Sequence, residues 1–221
     1  QPREQSYIEK LEKRRGQRIA AIYKYTDENG NYLYEKIRFQ NKDMLMGVYA
    51  QETESFLYGL SGNHKTLFHL PQLCKAVSAG KKIFYVEGEK DVLTLESLGL
   101  DATTAGSAND WNSSYASYFK NADVVILPDY DEPGQALVAR VSTDLEGLAK
   151  SVKIINTSTI PKGDVSDYIQ EGHTKEDLLR LIKNAESKNQ KNNKSSIDDS
   201  LELTAMENAE EKELEWLIPH Y

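Results

Sequence analysis

The sequence predicts an α/β fold, a parallel sheet of about four strands flanked by helices, with a small α+β lobe in front of it. Three observations carry this expectation. Short apolar runs at 83–86, 102–104, 124–127 and 152–155 alternate with helix-like segments, the rhythm of strand–helix–strand units joined by right-handed crossovers. The run Val124-Val125-Ile126-Leu127 has no polar alternation, as expected of a central strand covered on both faces. Before Gly80 the texture is different: residues 19–25 and 32–39 alternate apolar and polar around Asp27-Glu28-Asn29-Gly30, and Asn-Gly readily takes the positive φ angles of a hairpin turn.

In order, the front lobe reads as a short basic helix over 8–18 that ends around Gly16, followed by the hairpin strands 19–25 and 32–39. Shorter strands are expected at 56–60 and 66–70. Pro71 then opens a helix to about Val77, because proline is preorganised for the first helical turn. From Gly80 come a strand at 83–86, a helix over 89–98 closed by Gly99, a strand at 102–104 and a helix over 113–119. The central strand 124–127 leads to a helix over 135–150, a strand at 152–155, and helices over 165–170 and 175–185. From 187 to about 213 the chain is polar (KNQKNNKSS, then acidic) and reads as a linker. The expected division is a basic lobe over 1–79, the α/β domain over 80–187 and a flexible acidic segment over 188–221.

The 221 residues, 39% of them hydrophobic, suffice for a core in one medium or two small domains. The net charge of −8 divides unevenly: +5 over 1–85, −8 over 86–190 and −5 over 191–221. A basic lobe beside an acidic one suits a polyanion held next to a metal site, although solvated faces would look the same. The single cysteine, Cys74, excludes a disulfide framework and a cysteine-built zinc site within this sequence; it reads as buried filler, and a cytoplasmic setting is expected. No apolar run approaches bilayer length and no signal peptide opens the chain, so no membrane role is expected. With Gln1 in place of Met, the sequence is expected to be a piece of something longer.

In an open parallel sheet, ligands bind beyond the carboxyl ends of the strands. Two strands deliver acids there. "IFYVEGEKD" places Glu87 at a strand end, with Asp91 in the first turn of the next helix, and "LPDYDEPG" places Asp129 and Asp131 two residues apart, on one side of an extended segment. Carboxylates gathered at one edge repel one another unless a hard divalent cation supplies counter-charge. With no His or Cys in either motif, oxygen ligation favours Mg²⁺ or Mn²⁺. A third element, "PKGDVSDYI", adds Asp164 and Asp167, and Asp164 is equally placed to cap the helix that follows. Lys90, among these acids, is either a phosphate contact or a salt-bridge partner.

The succession V-E-G-E-K-D, L-P-D-x-D-x-x-G and K-G-D-x-S-D, over about 80 to 185, resembles the Toprim domain shared by bacterial-type primases, type IA and II topoisomerases and several nucleases. The resemblance implies that Glu87, Asp129 and Asp131 bind one or two Mg²⁺ or Mn²⁺ ions, with Asp91 nearby and Asp164 and Asp167 completing the acidic set. Within the family it runs most to primases of phages, plasmids and other mobile elements. "AAIYKYTDENGNYLYEKIRFQ" and "FHLPQLCKA" are similar to the small lobe of their polymerase core. The closing "EWLIPHY" is similar to the lead-in to the ring ATPase of primase–helicase chains.

The implied function is a DNA primase core, a nucleotidyltransferase acting in DNA replication. It would join nucleoside triphosphates on a single-stranded DNA template alongside a replicative helicase or ATPase domain. Arg14, Arg15, Arg18, Arg38 and Lys42 are the candidates for template phosphates, their alternative role being solubility. Neither a zinc ribbon nor a G-x-x-x-x-G-K phosphate loop is in the sequence, which weakens the expectation of priming by this piece alone. "TTAGSANDW" is also less glycine-rich than such a loop should be. A Toprim nuclease using the same acids to activate water is the enzyme alternative, and a DNA-holding adaptor for a helicase the non-catalytic one. A phosphoaspartate receiver or a haloacid-type phosphatase would carry its acids on the first strand instead. A topoisomerase would require a strand-cleaving tyrosine in a separate domain.

Overall fold

The structure is a computed structural model and describes residues 2–158 and 160–185. The expected linker over 188–221, with its Trp216-Leu217-Ile218 segment, lies outside the described residues. The chain divides into two compact units, one up to His173 and one from Thr174, the latter helical over 175–185.

Within the first unit lie two four-stranded sheets. Helix α1 (Pro2–Arg15) carries Lys13, Arg14 and Arg15 in its last turn, where cations suit the helix dipole, and Gly16 at φ 63° ends it. Its Tyr7 and Leu11, one turn apart, bury against Ile37, Phe39 and Leu45 of the antiparallel sheet. That sheet runs β1 (Ile19–Thr26), β2 (Tyr32–Phe39), β3 (Met44–Ala50) and β4 (Ser55–Tyr58) in sequence order. The hairpin forms where expected, but Asp27 organises its loop. Its carboxylate accepts the N–H groups of Asn29 and Asn31 at 2.9 and 2.8 Å, while Gly30 supplies the positive φ of 87°.

One expectation for this lobe fails and one strand was not foreseen. Strand β3, with Gly47 at its centre, has no counterpart in the sequence reading. That glycine is required by packing, since a Cβ there would lie 2.2 Å from Cζ of Phe56 on the neighbouring strand. Conversely, 66–70 is not a strand. Its apolar residues are buried, but its backbone makes one sheet-like bond, Phe68 N–H to Thr104 O at 2.8 Å, before turning into α2 (Leu70–Ser78). Burial without a ladder looks the same in sequence as a short strand.

The second sheet is parallel, in the order β6 (Asp101–Thr103), β5 (Lys82–Val86), β7 (Asp123–Leu127) and β8 (Ser151–Ile154). The four-stranded parallel sheet flanked by helices is therefore as expected. Helices α3 (Glu89–Ser97), α4 (Glu132–Leu145) and α5 (Val165–Gln170) connect and cover it, with a 3₁₀ helix at Ser113–Phe119. Its core joins Ile83, Tyr85, Val124 and Ile126 to Leu137, Val141 and Phe119, all within 1% of full burial. Helix α4 begins three residues earlier than expected: Pro133 sits in the first helical turn, where its missing N–H costs nothing.

The register is what positions the site. Strand β5 pairs with β7 from Lys82↔Asp123 to Val86↔Leu127, so the residues after Val86 and Leu127 emerge side by side at one sheet edge. The antiparallel sheet is tied to that edge by polar contacts. Tyr25 donates to Glu89 Oε1 at 2.6 Å, Lys36 pairs with the same carboxylate at 2.9 Å, and the Lys36 ammonium also reaches Gly106 O. Gly106 has φ 103° and faces the Tyr25 hydroxyl 2.8 Å from where a Cβ would stand, so only glycine fits.

Candidate metal and active site

Glu87 leaves the end of β5 half-buried, and its charge state is strained. Burial first, then the charges of Asp131 and Asp91, push its carboxyl above the usual range, against the opposing influence of the nearby Ala108 N–H. Its Oε2 is buried without a hydrogen-bond partner. Asp91, in the first turn of α3, is 4% exposed and accepts the Ser166 hydroxyl. Burial raises it to about 6, the Ser166 bond opposing and Asp164 adding to the rise.

Asp129 is the most perturbed carboxyl of the group. Burial, then the charges of Glu87, Asp91, Asp164 and Asp131, raise it to about 8. Glu87, Asp91 and Asp129 are therefore each held back from ionising by burial and by neighbouring acids. The segment is not the plain extended one expected: Asp131 N–H bonds to Asp129 O at 2.9 Å, bending the chain at Tyr130. Asp131 then caps α4, accepting Gly134 N–H at 2.9 Å. This close turn requires Gly134, because a Cβ there would lie 2.4 Å from Asp129 O. Gly134→Ala is expected to destabilise the protein by about 1–3 kcal/mol and to displace Asp129, weakening any Mn²⁺-dependent rise in melting temperature. An unchanged melting curve and an unchanged rise would show that the turn does not support the acids.

Asp164 and Asp167 are already occupied. Asp164 caps α5 by accepting Asp167 N–H at 2.7 Å, and Asp167 returns the bond from Asp164 N–H at 3.2 Å, a reciprocal capping box. The other Asp164 oxygen holds Lys90 at 2.6 Å. Burial works against the Lys90 ammonium, but Asp164, Asp91 and Asp167 outweigh it and raise its pKa. Lys90 thus stands as a salt-bridge partner.

Of the basic candidates, Arg38 stands beside Tyr23, whose hydroxyl burial and Glu89 push up while the Arg38 charge opposes them. Arg15 lies over the Phe39 ring, Arg18 O receives Gln40 N–H, and Lys42, at φ 72°, turns back to Phe39 O, so these three gather at the Phe39–Gln40 corner. Arg14 reaches the Tyr58 hydroxyl at 3.3 Å.

Among the described residues, no three His, Cys, Asp or Glu side chains form a ready-made cage. The donor set nevertheless fits a hard cation. Among the described residues Glu87 presents an unpartnered buried oxygen, and burial and four neighbouring acids hold Asp129 back from ionising. Sequence reasoning missed Lys36 and Glu89, the buried pair joining the two sheets, and Ser166, the partner of Asp91. The signal for the pair was Glu35-Lys36 inside an alternating strand: residues 34 to 37 are buried on both faces.

No family model matches the sequence, and no curated protein matches it. Solved structures do. The primase fragment of the bacteriophage T7 primase-helicase protein is 22% identical over 77% of this chain and 68% of its own, with a TM-score of 0.51. A chain from the T7 lagging-strand DNA polymerase structure, which contains primase domains of two gp4 subunits bound to an RNA/DNA hybrid and dTTP, is 20% identical over 78% and 84%, at 0.52. The Aquifex aeolicus primase, comprising zinc-binding and RNA polymerase domains, is 22% identical over 74% of this chain and 39% of its own, at 0.57. The chain has the fold of these primase fragments and spans about two fifths of the Aquifex chain. No helix among the described residues is long and apolar enough to cross a membrane.

Proposed function

We propose that the chain is the catalytic core of a DNA primase, joining nucleoside triphosphates on a single-stranded DNA template with Mg²⁺ or Mn²⁺. The observation that carries this reading is the mutual elevation of Glu87, Asp91 and Asp129 at the shared carboxyl edge of β5 and β7, on a primase fold. A bound ion would supply Lewis-acid chemistry there, easing ionisation of the attacking 3′-hydroxyl and neutralising the departing pyrophosphate. Glu87 and Asp129 would be its principal ligands. Asp131 caps α4 through one oxygen and would have the other for an ion, while Asp91, fixed by Ser166, would keep the local field negative. Asp164 and Asp167 serve mainly to hold the α5 end and Lys90, and could flank a second ion only by giving up these bonds.

Arg38, with Arg14, Arg15, Arg18 and Lys42 further out, would hold template phosphates without reading sequence. The T7 neighbours and the EWLIPHY segment support a replicative helicase as partner and a phage or mobile element as setting. The deciding assay incubates the protein with single-stranded DNA, labelled nucleoside triphosphates and Mn²⁺. Template-dependent oligomers that vanish in Glu87→Gln are expected. Metal-dependent cutting of the DNA would establish the nuclease reading instead, and neither product would leave an adaptor.

A further inference from the structure

The site depends on a loop that carries no acid ligand of its own. Residues 104–112 leave β6 and pass beside Glu87. Thr104 Oγ1 donates to Glu87 O at 2.7 Å and accepts Gly106 N–H at 2.9 Å, fixing the near end. Ala108, 4% exposed, sets its N–H near the Glu87 carboxylate, where it favours the charged form. The loop's remaining partners come from α4. Arg140 donates through Nη2 to Ala108 O, and one turn on, on the same helix face, Asp144 accepts Trp111 Nε1–H at 2.7 Å. The same helix begins at Asp131. One rigid element therefore holds the D-x-D acids at its N-terminus and, two to three turns later, the loop that aims Glu87. The small residues of TTAGSANDW make sense on this footing: side chains from α4, more than glycine turns, hold the loop.

We propose that Arg140 is a positioning residue for Glu87, acting through Ala108 to keep the Glu87 carboxylate facing the Asp129–Asp131 acids. The carbonyl that Arg140 holds and the N–H that faces Glu87 flank the same Cα, that of Ala108, so a residue released at its carbonyl can turn and carry its N–H away from the carboxylate. The Glu87 carboxylate is repelled by Asp131 and Asp91, and without the Ala108 N–H it turns away. Groups that orient a metal ligand in this way are typically worth about 10–100-fold in metal affinity. The proposal rests on the metal reading above, and its test separates the two.

Mn²⁺ binding is followed on the whole chain by the electron paramagnetic resonance signal of the free ion, with metal-free melting measured in parallel. Glu87→Gln is expected to lose tight binding, and Arg140→Met to weaken it about 10–100-fold while still unfolding cooperatively. Arg140→Lys, which restores a donor at similar reach, should recover part of the affinity. Wild-type affinity in Arg140→Met overturns the proposal. So does a loss that tracks a lowered melting temperature and is not recovered by Lys. If Arg140→Met does not fold, Trp111→Phe removes only the indole N–H at the far clamp and should still weaken binding severalfold; no change there overturns the proposal. Equal affinity in the wild type and Glu87→Gln would instead remove the metal site itself.

Discussion

Asp129→Asn is expected to abolish both nucleotidyl transfer and the rise in melting temperature that millimolar Mn²⁺ gives the wild type, while leaving the metal-free protein at least as stable. The last part separates this outcome from ordinary damage to the fold. Asp129 sits among Glu87, Asp91, Asp164 and Asp131, and its charge is unwelcome there without a counter-ion. An amide of the same shape removes one repelling charge and one metal ligand together. An ion that binds only the folded state stabilises it by mass action, so loss of the ligand removes that gain. Loss of Lewis-acid assistance worth several kcal/mol corresponds to at least about a hundredfold in rate.

The pH dependence gives this prediction a second arm. The folded-state value of Asp129, about 8, lies far above that of an unfolded chain, so the folded protein holds a proton through the window between. Stability that depends on this proton is fully present below about pH 4, declines as pH rises through the window, and is gone above about 8. Asn cannot titrate. The melting temperature of Asp129→Asn minus that of the wild type, both without metal, should therefore grow from pH 5 to pH 8 and level off. In the wild type the Mn²⁺-induced rise should be larger at pH 8.5 than at pH 6, because the ion competes with the proton. A difference that stays constant with pH would mean that Asp129 ionises like a surface carboxyl and that the acids do not converge.

How much of this was legible in the sequence follows from which forces are local. The parallel sheet was readable because buried strands such as Val124–Val125–Ile126–Leu127 state their environment in every residue. The acids were readable because strand ends in such sheets face one edge. Strand β3 was not readable, since Gly47 answers to the Phe56 ring on another strand, a contact that no local pattern contains. The 66–70 segment misled for the opposite reason: its residues are as buried as a strand's, but their partners come from β6 and α2 and form no ladder. Within the site, residue types named the chemistry but could not divide each carboxylate's oxygens among rival partners. Asp164 was seen as both cap and ligand; its capping box and its bond to Lys90 occupy both oxygens. The long-range supports, Ser166 on Asp91 and Arg140 on the Ala108 loop, join residues 75 and 32 positions apart, which spacing arguments do not reach.

The buried pair between the sheets yields the largest expected effect on stability. Lys36→Met should cost about 3–5 kcal/mol, read as a lowered urea midpoint with little change in slope. The Lys36 and Glu89 side chains are 9% and 3% exposed, and the ammonium contacts both the carboxylate and Gly106 O. With the ammonium gone, Glu89 keeps only the Tyr25 hydroxyl, and a carboxylate that cannot reach water is left without its counter-charge. Most of the cost lies in that stranded charge rather than in the attraction lost, and this can be tested separately. Glu89→Gln in the Lys36→Met background keeps an acceptor for Tyr25 and removes the charge. The double variant should therefore be more stable than Lys36→Met alone, by about 1–3 kcal/mol, the scale of coupling between residues in contact. Additive losses, with the double variant the least stable of the set, would mean that the pair is wet in solution and that the two sheets are joined by apolar packing, with Tyr25, Tyr34 and Phe68 as the contacts to test next.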